Sequence, residues 1–236
     1  MQDSVEKLGV PEWPFLFEDY DHVQAVLNGE IGEELTEDLE ETHGVKALSW
    51  SANGFRMISA NRTIESMEDF NGFRLRTPNI PNYIELAERL GTNVSPLPID
   101  EIFTGLEQGV IDGQENPVAT VRASGWYEVQ SDVLESEHMF SPNMYVINSD
   151  FWNDLSEDQQ QVEEAAIESA EYEFQLMEDS YEEDKAFLEE EGVNFTTPTD
   201  EFREEMSDAA EPMYDQFYEE YEWAEDLIQR IEEEAE

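Results

Sequence analysis

The chain has 236 residues, of which 39% are hydrophobic and 11% aromatic, enough for one large domain or two small lobes around a real core and too many for a disordered acidic tail. Its 60 Asp and Glu against 11 Lys and Arg give a formal charge of -49, which excludes a basic surface for nucleic acid or for an anionic membrane. The absence of cysteine excludes disulfides, thiolate chemistry and Cys-based metal sites, and no apolar run reaches the roughly 18 residues of a membrane-spanning helix.

Residues 1–20 lack the basic-then-apolar pattern of a signal peptide. Residues 45–50 and 55–60 read as two strands. Ser66 with Asp69 opens a short helix that ends near Asn71-Gly72. Residues 73–77 alternate as a strand and are stopped by Pro78. Pro81 suits the first turn of a helix running to Leu90 and ending at Gly91. A further helix is expected from Asp100 to Gly109, then a short strand at Val110-Ile111. Asn116-Pro117 reads as an N-cap followed by proline at the first helical position. Residues 139–148 suggest strand, turn and strand around Ser141-Pro142-Asn143. Strands that alternate with helices imply an α/β fold with a partly parallel sheet.

The second half is helical. Ser156 and Gln159 form a capping box. A long helix to about Glu190 follows, with Val162, Ala166, Ala170, Phe174, Met177, Tyr181 and Leu188 at helical spacing. Two more helical stretches come after the break at residues 192–198. From Glu157 onward there are 31 acidic and 3 basic residues, which read as solvated helix faces. No calcium-loop spacing occurs, and no metal or other cofactor is expected.

The sequence carries no nucleophile elbow, no P-loop, no dinucleotide fingerprint and no zinc-protease motif, so an enzyme is not expected. His22, His43 and His138 are widely separated and read as structural or exposed. Charge singles out one region. Residues 54–76 hold four of the eight arginines, Arg56, Arg62, Arg74 and Arg76, against Glu65, Glu68 and Asp69. A cationic island in so acidic a chain suggests an anion site, because guanidinium can hold a carboxylate with two parallel hydrogen bonds. The competing reading is ordinary surface pairing. Arg76 stands at the carboxyl end of its strand, where ligands of α/β sheets collect. Residues 110–117 form the second candidate segment, read as a turn feeding a helix N-terminus. Only three cations are lysines, Lys7, Lys46 and Lys185. Self-repulsion of this size opposes compactness in dilute buffer, whereas at molar salt the Debye length is roughly 3 Å. The exchange of lysine for acids therefore points to a halophilic host, taken as haloarchaeal.

On these segments the chain resembles the solute-binding proteins of TRAP transporters, the DctP-type family. The resemblance rests on Gly54-Phe55-Arg56, on residues 71–79 (Asn-Gly-Phe-Arg-Leu-Arg-Thr-Pro-Asn) and on Asp112-Gly113-Gln114-Glu115-Asn116-Pro117. The helix at residues 99–109, the stretch 126–130 and His138 follow in matching order. It implies a periplasmic-binding-protein-like α/β fold of two lobes with a hinge, braced by a long helix. The expected division is residues 1–53 plus 142–181 for the first lobe and 54–141 plus 182–236 for the second. It implies that Arg76 forms the main salt bridge to a substrate carboxylate, that Arg56 adds a second cationic contact and that Asn116 adds a hydrogen bond. Asn79 would line the site, and Ile99 stands where relatives place a Phe against the ligand, a departure that speaks against a sugar acid and favours a small organic acid. The partners implied are a small organic anion and the integral membrane permease subunits, with an extracytoplasmic location and no membrane insertion. The match begins near residues 14–17, so the first lobe is expected to be incomplete, with Met1 a misplaced start or the chain a fragment or half of a split gene. The alternatives are a non-functional fragment of such a receptor and, after it, an enzyme on the same scaffold.

Overall fold

Residues 5–235 are described by a computed structural model, whose strands and helices alternate from residue 45 to 148 and whose last third is helical but for one short strand. The expectation about Met1 lies outside the described residues. Three short helices, α1 (Tyr20–Leu27), α2 (Glu30–Thr36) and α3 (Leu39–His43), precede strand β1 (Val45–Ala60). Then come β2 (Arg74–Arg76), α4 (Pro81–Arg89), β3 (Asn93–Val94), α5 (Ile102–Glu107), β4 (Gly113–Asn116), α6 (Val118–Ala123) and β5 (Asp132–Asn148). Helices α7 (Ser149–Asp154), α8 (Glu157–Gln160) and α9 (Val162–Glu190), strand β6 (Asn194–Thr196), α10 (Asp200–Glu220) and α11 (Ala224–Glu233) complete the order.

Several expectations hold at the level of single residues. Asp69 and Ser66 make the reciprocal capping box around the 3-10 turn Met67–Phe70. Pro81 opens α4, and Gly91 follows it at φ 89°, a conformation that favours glycine. Five expectations are corrected. Residues 45–60 form one strand, because Gly54 at φ 114° lets the chain pass through the middle without breaking it. Residues 132–148 are also one strand, so Ser141-Pro142-Asn143 is extended rather than a turn. Val110-Ile111 is not a strand; the strand begins at Gly113, and Asn116 ends it instead of capping a helix. Pro117 takes the capping position of α6. The expected long helix is interrupted at Gln161, between α8 and α9.

The backbone clusters into two units, one of residues up to 54, 140–179 and 223–236, the other of residues 55–139 and 180–222. Strands β1 and β5 and helix α9 each contribute residues to both. The expected division placed residues 223–236 in the second lobe, whereas α11 belongs with the first unit. There it buries Ala224, Leu227, Ile228 and Ile231, receives the Nε2–H of His22 at the Ile231 carbonyl (2.7 Å), and pairs Arg230 with Glu34 (2.8 Å). In the same unit, Phe17, Tyr20 and Phe174 pack around Phe140 with centroids 5.9, 6.1 and 6.3 Å away. The Trp50 indole donates to the Gly32 carbonyl at 3.0 Å.

In the second unit the strands lie in the order β3-β2-β4-β1-β5-β6. Strand β2 runs parallel to both β3 and β4, β1 is antiparallel to β4, and β5 is parallel to β6. The registers place Arg76 beside Gln114, and Met57 beside Asn116. Phe70, Phe73, Leu75, Ile58, Ile102 and Ile111 are fully buried around this sheet.

Candidate functional site

Strand β4 occupies the middle of the second unit's sheet, and each of its side chains is tied to a neighbour. Asp112, just before the strand, accepts from the Arg74 backbone N–H and from Arg74 Nε, both at 2.9 Å. Gly113 is required by space: an added Cβ would stand 2.2 Å from the Ser59 carbonyl oxygen and 2.5 Å from the Phe73 ring. Gln114 donates to Ser59 Oγ at 2.8 Å and accepts from Asn116 Nδ2 at 2.6 Å. Asn116 in turn accepts from Arg56 Nη2 at 3.1 Å.

Glu115 grips Arg56 from the adjacent strand. Arg56 Nε donates to Glu115 Oε2, and Nη2 donates to Oε1 at 3.0 Å and to the Glu115 main-chain carbonyl at 2.8 Å. The pair is thus bidentate, with Arg56 5% and Glu115 2% exposed. The Tyr83 ring from α4 lies 5.0 Å from the guanidinium carbon. His138 Nε2 is 3.6 Å from Glu115 Oε2, and its Nδ1 is 2.7 Å from Ser136 Oγ. Burial alone raises the Glu115 carboxyl, but the charge of Arg56, with hydrogen bonds from His138 and Arg56, outweighs it and holds the group below the ordinary value.

Arg76 is held differently. Its Nε and Nη2 donate to one backbone oxygen, that of Leu97, at 2.8 and 2.6 Å. Its residue is 5% exposed, and burial with the charge of Arg56 depresses its pKa, while the charge of Glu115 works the other way. A guanidinium has five N–H groups, so Leu97 leaves three without a partner among the described residues. Nine of the eleven cations in this chain have a carboxylate within 4.0 Å. The two that do not, among the described residues, are Arg62 and Arg76. Arg62 donates to the Asp69 carbonyl and lies 5.2 Å from the Phe73 ring, in exposed surroundings. Among the described residues, Arg76 is therefore the one buried cation with no carboxylate within 4.0 Å.

The fold brings Arg56, Arg76 and Asn116 together on β1, β2 and β4. Asn79 is exposed in the turn between β2 and α4 and makes no hydrogen bond among the described residues. Ile99 is 58% exposed, two residues past Leu97, at the 3-10 turn before α5. Arg74 is removed from the candidates by Asp112. The cationic island of residues 54–76 is thus not cationic in space, since Glu115 and Asp112 come from outside that window. Sequence reasoning missed Glu115 and Tyr83. One acid among 60 carries no signal by composition, and the only available mark was its place inside the Asp112–Asn116 motif.

The site can hold one carboxylate against Arg76. No group of three or more potential metal ligands is present among the described residues, and none of their helices is long and apolar enough to cross a membrane. The sequence profile of the bacterial extracellular solute-binding proteins, family 7 (DctP), matches residues 1–221. An uncharacterized protein of Haemophilus influenzae is 39% identical over 226 residues, 95% of this chain and 69% of its own length. A TRAP periplasmic solute-binding protein of H. influenzae, solved with bound L-gulonate, superposes with a TM-score of 0.90 at 38% identity, covering 96% of this chain and 74% of that one. The Roseobacter denitrificans protein RD1_1052, solved with bound L-galactonate, gives 0.79 at 34% identity, covering 88% and 70%. The chain spans 56% of the full length of that Roseobacter protein and 63% of a sialic acid-binding protein from Vibrio cholerae.

Proposed function

The chain belongs to family 7 of the bacterial extracellular solute-binding proteins, and on that premise we propose that it is a receptor that holds a small organic acid by its carboxylate and delivers it to a TRAP-type permease. The observation that carries this reading is the buried guanidinium of Arg76, which is fixed by a carbonyl and has no acidic partner among the described residues. A ligand carboxylate supplies the missing counter-charge and accepts the remaining N–H groups. Arg56 and Asn116 flank it, Asn79 stands in the turn after β2, and Ile99 stands in the 3-10 turn before α5. The acids bound by the H. influenzae and Roseobacter proteins, L-gulonate and L-galactonate, each carry one carboxylate, the group that Arg76 would hold.

The receptor acts by binding and carries out no reaction. It works outside the cytoplasmic membrane, as extracellular members of the family do. The charge of -49 suits it to concentrated salt. The named relatives are bacterial, so an archaeal host finds no support among them.

Titration calorimetry in about 1 M KCl, where surface repulsion is screened, tests the site with aldonic acids. Two or three charge-assisted hydrogen bonds at about 1.5–3 kcal/mol each make Arg76→Ala at least about a hundredfold weaker than wild type. Circular dichroism confirms that the variant is folded. Affinity that survives unchanged in a folded Arg76→Ala would sink the role given to this residue.

A further inference from the structure

We propose that this site selects monoanions, binding acids with a single carboxylate in preference to dicarboxylates of the same carbon chain. The inference rests on the carboxylate-receptor reading and adds the charge of the ligand to it. Two buried cations, Arg56 and Arg76, stand in the cluster, which would suit a dianion. Glu115 changes that count. It meets Arg56 through both carboxylate oxygens and takes a further Arg56 bond on its own main-chain carbonyl. Arg56 is thereby neutralised from within the protein, and the cluster presents one positive charge, that of Arg76.

A first ligand carboxylate brings the cluster to neutrality. Among the described residues of this unit, Arg62 is the one cation besides Arg76 with no carboxylate within 4.0 Å. Arg74 is committed to Asp112, Arg89 to Glu85, Arg122 to Asp184, Lys185 to Glu135 and Arg203 to Glu137. Arg62 is in exposed surroundings. An unpaired charge taken out of water is costly, so a second carboxylate weakens binding even where it fits sterically. The remaining ionisable groups facing the pair are His138, 3.6 Å from Glu115, and Tyr83 against Arg56. Glu115 offers the second anion the repulsion of a carboxylate.

The test uses wild-type protein in about 1 M KCl at about pH 8, above the ordinary imidazole range. An aldonate and the aldarate of the same length and configuration differ in one terminal group, a hydroxymethyl against a carboxylate. Calorimetry is expected to give the aldonate an affinity at least about tenfold higher. An aldarate that binds as tightly as the aldonate, or more so, overturns the inference and leaves the receptor reading intact. Binding of neither acid, nor of any other carboxylate, removes the receptor reading and this inference with it. The variant Glu115→Gln adds one positive charge to the cluster and is expected to reduce the aldonate-to-aldarate ratio severalfold. An unchanged ratio in a folded Glu115→Gln overturns the part assigned to Glu115. Should that variant not fold, the wild-type ratio alone decides.

Discussion

At the scale of single residues, the Arg56–Glu115 pair has two consequences that can be measured. Removing one member of a buried ion pair costs far more than the pair contributes, because the remaining charge has lost both water and partner. Arg56→Met is therefore expected to destabilise the protein by about 3–5 kcal/mol in chemical denaturation, and Arg56→Met combined with Glu115→Leu to recover a large part of that loss. A double variant no more stable than Arg56→Met would contradict the charge argument. The same pair makes stability depend on acidity. The folded pKa of Glu115 lies below its ordinary 4.5. Its contribution is thus complete above that value and is lost as pH falls through the depressed folded value. Denaturation midpoints of wild type and Glu115→Gln followed downward from about pH 6 are expected to converge in this window, since the variant has no such contribution to lose.

Elements depend on these residues through β4. This strand of four residues touches β1 on one side and β2 on the other, and its geometry sets the positions of both Arg56 and Arg76. Gly113 allows the close approach. Its missing side chain leaves the space that the Ser59 carbonyl and the Phe73 ring fill. Gly113→Ala is expected to cost about 3 kcal/mol, because a methyl group there must displace backbone or a buried ring. Gly9→Ala, in the 3-10 turn Glu6–Glu12, meets nothing within 4 Å and is expected to stay within about 0.5 kcal/mol of wild type. Urea unfolding in high salt compares the two, and similar losses would contradict the steric account. The element scale is also where local reading of the chain was weakest. Helices α1 to α3, of five to eight residues, are too short to display a period. The Ser-Pro-Asn of β5 carries turn chemistry that its surroundings override. The Asp112–Asn116 segment reads as a turn because Asp, Gly and Asn favour turns, whereas its side-chain partners on β1 and β2 hold it as a strand.

For the whole molecule, a formal charge of -49 sets the conditions under which any of this folding occurs. Repulsion among exposed carboxylates extends about 10 Å at 0.1 M salt and about 3 Å at 1 M. Thermal melting followed by circular dichroism is expected to rise by more than about 10 °C between roughly 0.1 M and 2 M KCl. A melting point indifferent to salt would remove the high-salt adaptation. Composition alone carries this expectation, since repulsion depends on how many charges there are more than on where each one sits. Short motifs likewise determined the family, the α/β class and the three residues that meet at the cluster, because Gly113, Pro81 and the arginines act through local geometry that a sequence displays directly. What only the tertiary structure decided is which buried arginine has, among the described residues, no carboxylate within 4.0 Å. Arg56 meets Glu115 across 59 residues of chain and Arg74 meets Asp112 across 38, and such pairings follow from strand register, not from proximity in sequence. Register left Arg76 beside uncharged Gln114 and under the Leu97 carbonyl, and that placement turns one of eight arginines into the candidate anion site.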